Sequence, residues 1–215
     1  MKFEQKLNNF LTVILVICAL IVTILVVRRE LFLRQNNLSY QIVKISNWEI
    51  LLSGGQIVGN RSAAVYIVEF FDYECPYCKE MEMVLKKLIN KYKGKVSLIR
   101  YNFPLPGHKY SYDAAVASLC ASNQGKYESF HEILIREKTF DGRWDSLAVL
   151  AEIQDILSFR KCLLDKDARN RIQNEINIAK RFNIQSVPTI VINGYMIQGM
   201  ISEEQLDKLI QKLMK

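Results

Sequence analysis

Two cysteines, Cys75 and Cys78, stand where an apolar run gives way to charged residues, in Phe70-Phe71-Asp72-Tyr73-Glu74-Cys75-Pro76-Tyr77-Cys78-Lys79. Such a pair can hold a metal, clip a loop together, or exchange electrons with other thiols. Zinc needs about four ligands at close spacing. The two histidines, His108 and His131, lie twenty-three residues apart, and no second cysteine pair has ligand spacing, so no metal is expected. A static disulfide stays open, but the surrounding pattern favours redox use. Pro76 suits the first turn of a helix, where its missing N–H costs nothing. A cysteine at that end meets unpaired backbone N–H groups and the positive pole of the helix, which stabilise a thiolate. Cys75, just outside the helix, is the expected exposed nucleophile. Cys78, one turn inside, is the expected shielded resolving thiol. No cofactor is expected beside them.

The elements that must position this pair are legible in the flanking residues. Val65-Tyr66-Ile67-Val68-Glu69-Phe70-Phe71 is rich in β-branched and aromatic residues and reads as a central strand. From Pro76 the spacing turns helical, with Met81, Val84, Leu85, Leu88 and Ile89 on one face and Gly94 as the stop. Residues 96–103 (VSLIRYNF) form a second strand, and residues 111–184 carry mainly helical signals. Thr189 to Ile192 is a third strand, Asn193-Gly194 a two-residue hairpin turn, and Tyr195 to Gln198 its partner. The last helix opens on Ser202 and Gln205 as a capping box. The order strand, helix, strand, helical block, hairpin, helix predicts an α/β fold whose first half is a parallel βαβ unit.

Glu69 lies six residues before Cys75 in an otherwise apolar strand. A buried carboxylate is costly unless partnered, and burial raises its pKa; the alternative is a strand-end charge reaching solvent. Glu74 and Lys79 read as surface groups that modulate the thiolate. Pro188 starts a strand edge, where its absent donor breaks no ladder bond. Cys120 and Cys162 read on their own as two buried free thiols, and His131 as a satisfied helix histidine.

The segment from Glu69 to Cys78, together with Ser186-Val187-Pro188-Thr189, resembles DsbA-like thiol–disulfide oxidoreductases of the thioredoxin superfamily. The likeness runs from about Gly59 to the C-terminus. It implies a thioredoxin fold with an inserted helical domain at about residues 108–182, within a domain spanning 61–215. It implies Cys75 and Cys78 as the redox pair, Glu69 as the proton acceptor for Cys78, and a cis Pro188. Pro76, Tyr77, Val187 and Pro188 are then the residues that meet an extended substrate peptide. Tyr77 stands where the strongest oxidants of the family have histidine, and a tyrosine supplies no cation. The resemblance also pairs Cys120 with Cys162 as a structural disulfide. Its partners are cysteine-containing protein substrates and a membrane redox partner that resets the pair. A reductase or isomerase on the same scaffold, and a non-catalytic thioredoxin-like chaperone module, are the rival readings.

Lys and Arg number 29 against 22 acids, a net +7 over 215 residues. Residues 1–29 hold +3 of it, and the rest is scattered without an aromatic-interleaved basic stripe, so no nucleic-acid binding is expected. Phe10 to Val27 is uncharged and apolar but for two threonines, and reads as an uncleaved transmembrane anchor. Residues 1–9 form a short cytoplasmic segment and residues 28–60 a stem. Charges nearly tie across the anchor. Disulfide chemistry needs an oxidising space, which predicts a single-pass membrane protein with its N-terminus cytoplasmic and its catalytic domain extracytoplasmic, in the periplasm.

Overall fold

The computed structural model describes residues 13–29, 41–138 and 140–215, which fall into two units, residues 1–40 and 41–215. In the first unit, residues 13–29 form helix α1. Among the described residues no helix is long and apolar enough to cross a membrane. The first three residues of the expected anchor, the cytoplasmic segment 1–9 and residues 30–40 of the stem lie outside the described residues.

The second unit is built on a six-stranded sheet: β1 (Ile42–Lys44), β2 (Gln56–Val58), β3 (Val65–Phe71), β4 (Val96–Asn102), β5 (Thr189–Ile192) and β6 (Tyr195–Gln198). Their order across the sheet is β1-β6-β5-β3-β4-β2. Helix α2 (Pro76–Lys91) joins β3 to β4, which run parallel, and β5 pairs antiparallel with β3 on the other side. Every β3 residue except Tyr66 is buried. A strand covered on both faces needs a continuous apolar run rather than alternation, and residues 65–71 supply it.

This unit begins at Gln41, twenty residues before the expected boundary at 61. Residues assigned to the stem contribute both edge strands, β1 and β2, and the 3-10 turn Trp48–Ser53 between them. Each edge strand is three residues long and partly or wholly exposed. Segments so short show no period, so their pairing is set by the strands they join.

Five helices form the insertion between β4 and β5: α3 (Ser111–Ser122), α4 (Tyr127–Arg136), α5 (Trp144–Leu150), α6 (Ile156–Leu163) and α7 (Lys166–Arg181). Glu175 on α7 ties this layer to the sheet, accepting from the Asn102 backbone N–H at 2.6 Å and from its side-chain amide at 2.9 Å. The β5–β6 turn places Asn193 at φ 42° and Gly194 at φ 85°. Both are left-handed, as the commonest hairpin turn requires. A Cβ on Gly194 would also lie 2.7 Å from the Trp48 ring, so the turn and the 3-10 segment share one glycine. Helix α8 (Glu203–Leu213) starts at Ser202 with its capping box formed.

Candidate active site

Strand β3 delivers the chain to a tight turn at Asp72–Glu74, and Cys75 is the N-cap of α2 with Pro76 in the first turn. An N-cap residue sits at the open end of the helix, among N–H groups that lack a partner. The Cys78 thiol and the backbone N–H groups of Cys78 and Tyr77 all favour the Cys75 thiolate. The Cys78 thiol has the largest effect, and together they hold Cys75 at about 6, against burial, which acts upward. Cys78 moves the other way. Its burial, the neighbouring Cys75 thiol and the nearby Glu69 all push its thiol far above the ordinary range. Both are free thiols.

Cys75 is less open than the sequence implies. Only 5% of its surface is exposed, where the sequence predicts an exposed nucleophile. The loop before β5 lies against it. The Cys75 thiol lies 3.7 Å from the Val187 carbonyl oxygen, and the Val187–Pro188 peptide is cis. The Thr189 hydroxyl closes this loop on itself by donating to the Ser186 carbonyl at 2.7 Å. The Gly199 N–H donates to the Pro188 carbonyl at 2.8 Å, which anchors the start of β5 to the end of β6. Pro76 and Tyr77 are exposed beside the pair, Tyr77 at 58%.

Glu69 is 1% exposed, so the alternative of a charge reaching solvent does not hold. It sits opposite Arg100 of β4 and Ile190 of β5 in the sheet. Its carboxylate comes to 3.8 Å from Arg100 Nε without a hydrogen bond. Arg100 is already engaged: one nitrogen donates to both Glu82 oxygens at 2.9 Å and another to Glu128 at 2.9 Å. Burial, reinforced by the Glu82 charge, therefore pushes Glu69 up to about 8 despite Arg100. The resulting group holds a proton at neutral pH and, once ionised, exerts its charge on Cys78. His131 is fully buried, with Nδ1 3.0 Å from the Tyr73 hydroxyl, and burial pushes it down to about 4. It is neutral packing, beside Glu82 at 3.3 Å.

Two residues expected at the surface have other roles. Glu74 is half-buried, and one of its oxygens accepts from the backbone N–H groups of Tyr110 at 2.6 Å and Ser111 at 2.8 Å. It thereby caps α3, whose own N-cap residue makes no side-chain cap. Lys79 is half-buried too, donating to the Glu137 carbonyl with its ammonium 5.4 Å from the Phe140 ring centre. Away from the pair, Cys120 on α3 and Cys162 on α6 are joined by a disulfide across 42 residues. On the chain-entropy model such a loop is worth about 4 kcal/mol.

Sequence reasoning missed Asp72, Glu82, Arg100 and His108. Arg100 carried the same signal as Glu69, a charge inside an apolar strand. Asp72 is 2% exposed, yet its position after a strand end looks like an ordinary turn. Among the described residues no group of histidine, cysteine and acid side chains could hold a metal.

A family model described as thioredoxin matches residues 52–212. "Na(+)/H(+) antiporter NhaA 3" of Salinispora tropica is 29% identical over 154 residues, 71% of this chain, but the chain spans only 24% of that protein. "Probable disulfide bond formation protein D" of Bacillus anthracis is 28% identical over 172 residues, covering 74% of this chain and 78% of the relative. A thioredoxin-like oxidoreductase from Silicibacter pomeroyi superposes with a TM-score of 0.70 at 25% identity, covering 78% of this chain and 97% of the other.

Proposed function

This chain belongs to the thioredoxin family, and we propose that it is a protein thiol–disulfide oxidoreductase that forms disulfides in other proteins through Cys75 and Cys78. The observation that carries this reading is the opposite displacement of two adjacent thiols. Cys75 is held near 6 while Cys78 is driven far upward. A nucleophile and leaving group of low pKa beside a shielded partner is what directional exchange needs. The likeness to a disulfide bond formation protein supports it.

The exchange balances as two successive displacements. A substrate thiolate attacks Cys75 of the Cys75–Cys78 disulfide, that bond breaks, and Cys78 leaves and takes a proton. Glu69, protonated up to about pH 8, is the assigned source of that proton and its acceptor when the pair is oxidised again. The substrate's second thiolate then attacks its partner sulfur in the mixed disulfide and expels Cys75 as a thiolate. Two electrons reach the enzyme and one disulfide forms in the substrate. The Val187 backbone, Pro188, Pro76 and Tyr77 are the assigned contacts for the extended substrate chain.

The setting belongs to the same proposal. Residues 10–27 anchor the chain in a membrane, residues 1–9 lie in the cytoplasm, and the catalytic domain lies in the periplasm, where a membrane redox partner reoxidises the pair. The uncharged run in the sequence supports the anchor. The Cys120–Cys162 bond supports an oxidising compartment.

Equilibration with glutathione buffers tests the direction of electron flow. A potential above roughly −200 mV is expected, and one near the roughly −270 mV of thioredoxin turns the pair into a reductase. Cys75→Ser should abolish oxidation of a reduced, unfolded protein substrate, and full activity in that variant rejects the assignment of the pair.

A further inference from the structure

The loop between β4 and α3 carries His108 to the same turn that holds Cys75. Its Nδ1 lies 2.8 Å from Asp72 Oδ2, and its side chain is 31% exposed. The Asp72 side chain is fully buried and fully engaged. One oxygen accepts from the Glu74 N–H at 2.7 Å and from the Ser111 hydroxyl; the other accepts from the Leu105 N–H at 2.7 Å and faces His108. The β3–α2 turn, the β4–α3 loop and the first residue of α3 thus meet on one carboxylate.

That carboxylate is a liability for Cys75, because its negative charge opposes the thiolate. An imidazolium beside it cancels the liability. Tyr77, between the two cysteines, has no charge to offer. We propose, taking the oxidoreductase reading as given, that His108, fixed by Asp72, is the cation that supports the Cys75 thiolate, and that losing its proton weakens the oxidising power of the pair. His108 acts through the field at Cys75 and is a positioning residue, not a catalytic one.

Lys109 follows His108 in the chain, and its ammonium lies 4.8 Å from the Tyr110 ring centre. His108 faces Asp72 from the turn after β3, Glu74 beside it, and Cys75 at the helix start. Burial opposes its protonation, but Asp72, Glu74 and Cys75 outweigh it and raise the imidazole above its ordinary value. Lys79 on α2 also lies near Cys75, as well as Glu74, Asp72 and Glu137 from the segment after α4. Burial lowers Lys79 from the ordinary lysine value, and its ammonium is taken by the Glu137 carbonyl. Of these cations His108 is the one whose ordinary range lies near neutrality.

Two readouts on the full chain test this. The first is the thiolate absorbance of the reduced protein against pH for the wild type, His108→Gln and His108→Lys. In His108→Gln the Cys75 midpoint should rise by about one pH unit, a roughly tenfold loss of thiolate at acidic pH. The potential should fall by about 30 mV, the equivalent of a tenfold change for a two-electron couple. His108→Lys, which restores a fixed charge, should titrate near the wild type. The second needs no variant: the sequence has only two histidines, and the His108 ring signal should titrate higher in the reduced protein than in the oxidised one, because the coupling is reciprocal. Coincident titrations of His108 in the two redox states overturn the proposal, as does a His108→Gln midpoint equal to the wild type's. A wild type whose Cys75 shows no low midpoint at all instead removes the oxidoreductase reading beneath it.

Discussion

At the scale of single residues, the site is a sorting of protons. Cys75 is ionised near neutrality, Cys78 is not, and Glu69 keeps its proton to about pH 8. The sign of the consequence for stability follows from the direction of the Cys75 shift. The folded value of about 6 lies below that of an unfolded thiol, roughly 8.5. Between those two values the unfolded Cys75 binds more protons than the folded one, so its contribution to the stability of the reduced protein rises with pH across that window, against that of Glu69, which falls in both redox forms. Oxidation removes the thiol and the effect with it. Chemical denaturation of both forms from about pH 6 to about pH 8.5 should therefore show the reduced form gaining on the oxidised one as pH rises. Parallel curves would contradict the Cys75 assignment. The pair and its proline could be read from spacing because helix-end chemistry is local. Asp72 and His108 could not, since they meet only when β3 and the β4–α3 loop lie side by side, thirty-six residues apart.

At the scale of elements, helix starts are secured by side chains from elsewhere in the chain as well as from their own N-caps. Ser202 and Gln205 are neighbours in sequence, so the start of α8 was legible. Glu74 caps α3 from thirty-six and thirty-seven residues away, and nothing near Ser111 announces it. Glu74→Ala should lose about 1 kcal/mol, the usual worth of a cap, and melt roughly 2–4 °C lower. Glu74→Gln, which keeps an acceptor oxygen, should lose less. Equal losses in the two variants would mean that the bonds to Tyr110 and Ser111 are not what the carboxylate contributes. The strands β3 and β4 and the helices α2 and α8 were predicted from period and composition, and α3 to α7 only as one helical block, while β1 and β2, three residues each, were not. Their identity comes from the neighbours they pair with, not from a pattern of their own.

At the scale of the whole molecule, the sheet, the insertion and the thiol pair all lie within residues 41–215. That fragment has its own buried core and should fold without detergent and keep the potential of the full chain. A fragment that aggregates, or whose potential differs, would show that residues 1–40 contribute to the fold or the site. An alkaline phosphatase fusion after Lys215 should be active if the proposed topology holds, and an inactive fusion would put the domain on the cytoplasmic side. The fold class was legible because the βαβ unit, the hairpin and the final helix each carry a strong local signature. The start of the domain was not, because its boundary is drawn by edge pairing.

The bond between α3 and α6 has a consequence for how the protein comes into being. Four cysteines of the second unit can pair in three ways, and in two of them the reactive thiols are lost to the insertion. Cys75 and Cys78 are close enough to close first, whereas Cys120 and Cys162 must find each other across 42 residues. On the proposed oxidase direction, the unpaired Cys120 and Cys162 of a nascent copy are themselves a dithiol of the kind that a mature copy oxidises, so the protein belongs to its own class of substrates.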